Sequence, residues 1–270
     1  MGANSAVQPG APDLLERVTR AQLRARRLYQ LKFTLVWVGL VFVIGAFLWF
    51  AGRVDPEFVA LAGLYIVRGA EVTILVCVLS ITVATIMAVV GALGRLSPNP
   101  YINAAATLYV SIVRGTPLLV QILFIFYGLP QLGIILPAIP AGVLALGFNY
   151  GAYMTEIFRA GIQAVPRGQV EAAAALGMSD PLIRRRIVLP QATRIVIPAI
   201  GNEFIAMLKD SALVSIIAVP ELLWRADRIG RTQLQPLAGL LIAALVYWIL
   251  TMIFSYFQGR LERRLAQADR

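Results

Sequence analysis

Histidine is absent from the 270-residue sequence, and cysteine occurs once. The missing histidine removes the commonest general base and the commonest metal ligand of proteins. Cys77 has no second cysteine with which to form a disulfide inside the chain. The sequence also lacks a GxxxxGK(S/T) phosphate-binding loop and any Ser/His/Asp or Cys/His set. We therefore expect no catalytic residues, no metal, no cofactor and no ATP-binding loop of this type in the chain.

Charge is scarce as well. Asp, Glu, Lys and Arg make up 14% of the residues, whereas soluble proteins contain about 25%. Hydrophobic residues reach 59% and the mean hydropathy is +0.77. This composition predicts an all-α protein that crosses a membrane several times. The net charge of +10 does not by itself indicate a nucleic-acid partner, because cytoplasmic loops of membrane proteins collect Lys and Arg.

Long apolar runs predict six transmembrane helices. A bilayer core of about 30 Å requires about 20 helical residues. The third and fourth helices come from 41 uncharged residues, Gly115 to Thr155, which Pro130, Pro137 and Pro140 divide near the middle. The first run is too long for a signal peptide and is interpreted as a retained anchor. The predicted spans are about 33–52, 72–94, 103–129, 138–158, 194–220 and 232–259.

The positive charges predict the orientation. Six spans place both termini on one side, which then holds seventeen Lys and Arg residues against five on the opposite side. Positive residues collect on the cytoplasmic side. We therefore predict a basic cytoplasmic segment at 1–32, an extra N-terminal transmembrane helix at 33–52, and a cytoplasmic tail at 261–270. The basic segment either serves only as a topology determinant or also lies on anionic headgroups.

The predicted loop between spans four and five is soluble in character. It contains EAAAALGMSDPLIRRRIVLP, residues 171–190. Its alanine-rich first half favours a helix, which Gly177 ends because glycine adopts a left-handed conformation freely. Ser179 or Asp180 can cap a second helix that ends at Leu189–Pro190. The pattern predicts two short helices set at an angle, with an alanine face that another protein can approach closely.

The spacing of this loop resembles the EAA loop of ABC importer permeases. The matching positions are Glu-Ala-Ala, three residues, Gly177, nine residues, Ile187, one residue and Leu-Pro. Three further stretches are similar to the polar amino acid branch of that family, the histidine/glutamine-type permeases. They are RGTPLLVQILFIFYGLP (114–130), GAYMTEIFRAGI (151–162) and IPAIGNEFIAMLKDSALVSIIAVPEL (197–222).

The resemblance implies a permease domain at 65–260 with a cytoplasmic EAA coupling loop at 167–190, in the inner membrane of a bacterium. In that family the loop docks into a groove on a cytoplasmic ATPase. The implied partners are an ABC ATPase dimer, an extracytoplasmic amino-acid-binding protein and a second permease subunit, either a copy or a relative. The residues to which the resemblance assigns ATPase coupling are Glu171, Ala172, Ala173, Gly177, Ile187, Leu189 and Pro190. The family core usually has five spans, and the resemblance assigns no role to 33–52.

The predicted fifth span contains acidic residues. Glu203 and Asp210 are seven residues apart and therefore share a helix face. Ionisable groups inside a span usually face a bundle interior or a wet cavity. One interpretation is that Asp210 pairs with Lys209. The other, which the resemblance favours, is that Glu203, Asp210 and the neighbouring Asn202 bind an amino acid and prefer a basic or broad range of substrates.

Three polar residues in the third and fourth spans allow two interpretations each. Thr116 and Gln121 contact substrate, or they belong to a structural region in which Pro117 loosens the helix and Thr116 satisfies a freed carbonyl. Glu156 faces the pathway, or it pairs with Arg159 at i+3, which we favour.

These observations predict the permease subunit of an ATP-driven amino acid importer. Another small solute, such as an opine or a sulfur compound, is an alternative substrate. An ATP-independent channel or secondary transporter would leave the loop spacing unexplained. A membrane-embedded enzyme would have to work with Asp and Glu alone.

Overall fold

The computed structural model describes residues 11–267. The first ten residues of the predicted segment 1–32 and the last three of the tail 261–270 lie outside this range. All regular structure within it is helical. The helices are α1 (Ala11–Ala51), α2 (Pro56–Val67), α3 (Gly69–Arg95), α4 (Pro100–Gly115), α5 (Leu118–Leu123), α6 (Ala138–Gln163), α7 (Arg167–Ala175), α8 (Asp180–Ile183), α9 (Leu189–Asp210), α10 (Leu222–Thr232) and α11 (Pro236–Gln267).

In the described part of the chain, four shorter turns extend or join three of these helices. A π turn (Phe124–Gly128) and a 3-10 turn (Leu129–Leu132) continue α5, and a π turn (Arg184–Val188) joins α8 to α9. A 3-10 turn (Ser211–Ile217) follows α9 and ends at Ala218, whose φ of 62° is left-handed.

The chain divides into two units between Val54 and Asp55. The first consists of α1, a single helix of 41 residues. It joins the basic segment to the predicted first span without a break, and its side chains from Glu16 to Phe50 are almost all exposed. The second unit contains α2 to α11. It includes the predicted coupling loop and the acidic residues of the predicted fifth span.

By length and apolar composition, three helical stretches of the described chain qualify as membrane spans. They are Glu16–Phe50, Pro56–Arg95 and Pro236–Leu265, and the bent pair Pro100–Gly115 and Leu118–Leu132 provides a fourth if it counts as one span. The second stretch is longer than expected, because α2 occupies residues that the sequence left as a connection. The predicted fourth and fifth spans correspond to α6 and α9. Both are helical, but they carry more polar residues than the stretches that qualify by apolar composition.

The prediction of one helix over 103–129 is wrong. The structure divides this region into α4 and α5, which meet at an angle of 108°. Thr116 and Pro117 both adopt extended conformations at the junction. The physical reason is that a residue before proline is pushed out of the helical region and proline itself cannot donate a backbone hydrogen bond.

The core of the second unit is built around α3 packed on α6. Small residues let the two helices approach closely: a methyl group on Gly147 would lie 2.7 Å from Val83 Cγ1, and one on Gly151 would lie 2.7 Å from Met87 Cβ. Gly147 and Gly151 form a GxxxG pair of the kind that brings membrane helices together. Side chains of α9 and of its following turn complete this core, among them Met207, Leu208 and Val214.

The start of α10 is held by a buried carboxylate. Glu221 caps the helix by accepting hydrogen bonds from the backbone N–H groups of Leu223 (2.9 Å) and Trp224 (2.7 Å), and Tyr247 of α11 donates its hydroxyl to the same carboxylate. Burial raises the pKa of Glu221, and these hydrogen bonds act in the opposite direction. A side chain at Gly69 would collide with the Leu222 backbone, so α3 also closes on this turn.

We predict that Gly147→Ala will destabilise the second unit by about 1–3 kcal/mol, because the added methyl overpacks the contact between α3 and α6. Thermal unfolding of the purified protein in detergent measures this loss. Gly63→Ala in α2 is the matched control, since its methyl would meet only Val59 Cγ1 at 3.9 Å. Equal unfolding temperatures for the two variants would contradict the assigned contact.

Candidate functional site

The loop between α6 and α9 begins with the alanine-rich helix α7. Its end is a Schellman motif, in which the N–H of Gly177 donates to Ala174 O (2.9 Å) and the N–H of Met178 donates to Ala173 O (3.1 Å). Gly177 has φ +78°, and beyond its chain neighbours no residue comes within 4 Å of the place where its side chain would be. The prediction that Gly177 ends the first helix in a left-handed conformation is confirmed.

The second half of the loop differs from the prediction. Ser179 occupies the N-cap position of α8, but its side chain makes no capping hydrogen bond. The prediction that this helix ends at Leu189–Pro190 is wrong, because the chain continues through a π turn directly into α9. The N–H of Leu189 donates to Arg184 O, five residues earlier. This wider turn places Pro190 in the first turn of α9, where a missing N–H is tolerated.

Exposure separates the predicted coupling residues into two groups. Glu171, Ala172, Leu189 and Pro190 are exposed, as is Gly177. Ala173 is only 5% exposed, and its helix packs on α8 and the π turn. Ile187 is half-buried. The loop therefore has one exposed face, and Ala173 lies on the side of α7 that packs on the second half of the loop.

Leu176 is the most exposed large apolar side chain of this loop. It is 84% exposed and lies next to the sharp turn at Gly177. The three arginines Arg184–Arg186 are also exposed. An apolar tip beside alanine positions is a surface suited to contact with another protein.

The loop is attached firmly to the helices at its ends. Gln191 of α9 hydrogen-bonds through its amide to Gln169 of α7 and to Ile187 O (3.0 Å). Gly161 near the end of α6 lets α9 approach, since a methyl there would lie 2.5 Å from Val196 Cγ2. The loop is therefore bonded to α9, and α9 in turn packs closely on the end of α6.

The acidic residues of α9 form the second candidate site. Asp210 Oδ2 accepts a hydrogen bond of 2.8 Å from the hydroxyl of Tyr150 in α6. Glu203 is half-buried and lies seven residues before Asp210 on the same helix. Asn202 and Lys209 are exposed. The hydrogen bond of Asp210 thus crosses to α6, and the alternative pairing with Lys209 does not describe this geometry.

Thr116 and Gln121 lie at the bend between α4 and α5. The amide nitrogen of Gln121 donates to Val113 O (2.7 Å), Thr116 O (3.1 Å) and Thr116 Oγ1 (2.9 Å), and its oxygen accepts from Asn149 (3.1 Å). Thr116 Oγ1 donates to Ile112 O (3.0 Å). These bonds support the structural interpretation of both residues, while their contact with substrate stays a prediction.

Glu156 pairs with Arg159, as the spacing indicated. The Arg159 guanidinium lies 2.6 Å from Glu156 Oε2, and Arg95 of α3 approaches Oε1 of the same carboxylate at 3.1 Å. Arg95 also bonds to Thr107 of α4. This cluster joins three helices and is structural in character.

Tyr150 and Asn149 were missed by the sequence reasoning. Both are buried in α6, at 4% and 6% exposure. The available signal was two polar residues in the middle of an apolar run, since polar groups inside a span usually hydrogen-bond across helices. Sequence spacing does not reveal that their partners are Asp210 and Gln121, which lie 60 and 28 residues away.

Known protein families supply an independent comparison. Residues 80–267 match the family described as the binding-protein-dependent transport system inner membrane component. The L-cystine transport system permease protein TcyB of Bacillus subtilis is 41% identical over 198 residues, covering 73% of this chain and 85% of TcyB. The arginine transport system permease protein ArtQ of Bacillus subtilis is 38% identical over 207 residues, covering 76% of this chain and 94% of ArtQ.

Solved structures are similar as well. The crystal structure of an amino acid ABC transporter with histidines contains a chain with 41% sequence identity and a TM-score of 0.75, covering 78% of this chain and 99% of that one. The MetNI methionine ABC transporter, in an inward-facing conformation, has a chain with 18% identity and a TM-score of 0.64, covering 74% of this chain and 95% of that one. The second likeness concerns the fold alone.

Replacement of Gly177 tests the geometry of the loop. We expect Gly177→Val to destabilise the turn by about 1–2 kcal/mol, because the left-handed conformation is costly for residues with a Cβ and more so when it is branched. Gly177→Asn should be tolerated, since Asn enters this region more readily. Faster amide hydrogen exchange at residues 177 and 178 would report the change.

Gly168→Val provides the matched control for this measurement. Gly168 lies in α7, its φ is not left-handed, and beyond its own helix no residue comes within 4 Å of the place where its side chain would be. Exchange rates at 177 and 178 that are the same in both valine variants would contradict the role assigned to the left-handed turn.

Proposed function

Since the chain belongs to the family of binding-protein-dependent transport system inner membrane components, we propose that it is the permease subunit of an ATP-driven importer of polar amino acids. It is a multi-pass protein of the bacterial inner membrane. Its substrate arrives from an extracytoplasmic binding protein, and ATP is bound and hydrolysed by a separate subunit. The family membership leaves no reason to prefer an ATP-independent channel or a membrane-embedded enzyme.

The geometry of the loop at 167–190 is the observation that carries this proposal. It exposes an alanine face, ends its first helix at a left-handed glycine, and runs without interruption into the helix that holds Glu203 and Asp210. A rigid loop of this kind transmits movement to the translocation path of the substrate, whereas a flexible linker would absorb that movement. The loop is the coupling helix, and Glu171, Ala172 and Leu176 face the ATPase.

The topology follows from the charge distribution. The second unit contributes five spans, with α6 and α9 as the polar ones around the path, and α1 adds a sixth. Both termini and the coupling loop lie in the cytoplasm, because Lys and Arg concentrate on that side. The polar residues of α6 and α9 are expected where a helix borders a wet cavity rather than lipid.

One chain supplies half of the transporter. A dimeric ATPase presents two docking grooves, so two coupling loops and two permease subunits are required, either two copies or this chain and a relative. ATP-driven closure of the ATPase pair draws the loops together, and each loop moves α6 and α9. This movement exposes the path to the two sides of the membrane in turn.

Substrate recognition is assigned to the acidic face of α9. Glu203 and Asp210 attract the ammonium group and a cationic side chain, and the Tyr150 hydroxyl fixes the orientation of the Asp210 carboxylate. Asn202, Thr116 and Gln121 are candidates for further polar contacts. The relative named for arginine transport and the transporter solved with histidines support a basic or broad-range amino acid substrate.

A sulfur-containing substrate is the second candidate. The observation in its favour is the relative named for L-cystine transport, which is 41% identical. Cystine carries two ammonium groups, so two carboxylates seven residues apart also suit it. Competition among arginine, glutamine and cystine for binding to the cognate binding protein separates the two candidates.

A charge on the exposed alanine face should uncouple transport. We expect Ala172→Arg to lower amino acid uptake at least about tenfold, which corresponds to about 1.4 kcal/mol of lost docking energy. The reason is that a long side chain keeps the ATPase surface away from the helix. Co-purification of the ATPase and uptake into proteoliposomes measure the effect.

Two further variants control this experiment. Ala164→Arg places the same side chain at an exposed position before the loop and should leave uptake unchanged. Ala173→Arg should reduce the amount of folded permease, because Ala173 is buried. Normal ATPase assembly and uptake in Ala172→Arg would refute the docking assignment.

Neutralising Glu203 tests the recognition of charge. We expect Glu203→Gln to reduce arginine uptake about tenfold or more while glutamine uptake is largely kept, since a hydrogen bond to a charged group contributes about 1.5–3 kcal/mol. Radiolabelled uptake of both amino acids gives the ratio directly. Glu57→Gln, at an exposed site in α2, is the control. Unchanged arginine uptake in Glu203→Gln would contradict the hypothesis that the Glu203 carboxylate recognises a cationic substrate.

A further inference from the structure

The helix that connects the coupling loop to the substrate residues contains a weak segment. Pro198 lies inside α9 and cannot donate the backbone hydrogen bond that stabilises an interior turn. Gly201 follows one turn later, and glycine is among the poorest helix formers. The segment lies after Pro190, where the loop ends, and before Glu203. A displacement that starts at the loop must therefore pass through the part of α9 that bends most easily.

A side chain from another helix reaches this segment. Gln258 of α11 donates its amide N–H to Pro198 O at 2.7 Å, and the same nitrogen lies 3.0 Å from Glu262 Oε1, one turn further along α11. Gln258 is only 9% exposed. Its amide also fills the space beside Gly201, where an added methyl group would lie 2.5 Å from Gln258 Cδ.

An open cleft lies beside the hydrogen bond from Gln258 to Pro198. Its volume is about 450 Å³, and it is bordered by apolar side chains of α9 and α11 that include Ile200, Ile205 and Phe257. Phe204 and Phe254 touch edge to face across the same pair of helices, with ring centres 5.0 Å apart. The cleft leaves part of the helix pair unpacked, and the Gln258 hydrogen bond adds a polar contact between α11 and the weak segment.

We propose that Gln258 is a positioning residue that clamps α9 at Pro198 and Gly201, so that α9 and α11 move together when the coupling loop moves. With the clamp in place, Glu203 and Asp210 move together with the loop. Without it, α9 would bend at Pro198 and Gly201, and the two acidic residues would keep their positions. This inference rests on the proposed function. It concerns the yield of transport per ATP rather than the binding of substrate or of the ATPase.

The test uses the complete transporter, reconstituted with its ATPase and binding protein, and measures amino acid uptake per ATP hydrolysed. Gln258→Met keeps most of the side-chain volume but donates no hydrogen bond. We expect its ATP hydrolysis and half-saturating amino acid concentration to stay within about twofold, while uptake per ATP falls about fivefold or more, as is typical of lost coupling between two sites.

A purely structural role of Gln258 predicts a different result. It would lower the unfolding temperature by about 2–4 °C for one lost interaction and leave uptake per ATP at the wild-type value. A wild-type ratio in Gln258→Met would therefore overturn the proposal. If Gln258→Met does not assemble, Gln258→Asn is used, since it keeps the amide but is too short to reach Pro198.

Gly201→Ala and the double variant Gly201→Ala/Gln258→Ala separate hydrogen bonding from packing. The added methyl displaces the Gln258 amide, so we expect Gly201→Ala to lower uptake per ATP as Gln258→Met does. In the double variant the methyl enters the space that the amide has left, which relieves the crowding but does not restore the bond. A low ratio in the double variant supports the clamp, and a return to the wild-type ratio overturns it.

Gly259→Ala is the matched control. It is adjacent to Gln258 on α11, and its methyl would meet only Arg263 Nη1 at 3.6 Å. The uptake per ATP of Gly259→Ala should equal that of the wild type. A fall as large as that of Gln258→Met would overturn the assignment to Gln258. Failure of the proposed function has its own signature, because the wild-type complex would then show no ATP-dependent uptake at all.

Discussion

Hydrocarbon offers no partner for a backbone N–H or C=O group, so a membrane protein that interrupts its helices must satisfy those groups itself. Two buried polar side chains do this here. Gln121 donates to the carbonyls at the bend between α4 and α5, and Glu221 accepts from the first turn of α10. Each of these interruptions therefore has its backbone groups paired with a side chain of the same chain.

Close packing of small residues determines where these parts meet. The glycines of α6 bring it against α3, and this contact orients α6 so that Tyr150 reaches Asp210 on α9. The Cys77 thiol of α3 lies 3.7 Å from the carbonyl of Met207 in α9. Two side chains without charge, Tyr150 and Cys77, thus contact the part of α9 that carries the acidic residues.

The two candidate sites are parts of one mechanical element. The coupling loop passes into α9 through a π turn, and α9 carries Glu203 and Asp210 further along the same helix. On the proposed function, this continuity lets a chain without an ATP-binding motif take part in ATP-driven transport. The ATPase would contact one end of this helical element, and the substrate would contact the other.

Composition, local spacing and backbone preference were enough to predict much of this protein. They determined its membrane class, the two-helix loop with a left-handed Gly177, and the pairing of Glu156 with Arg159, because each depends on residues within a few positions of one another. The bond from Tyr150 to Asp210 and the bond from Gln258 to Pro198 depend instead on how helices pack. Only the tertiary structure decided these, since hydrogen bonds between residues tens of positions apart leave no periodic signal in a single sequence.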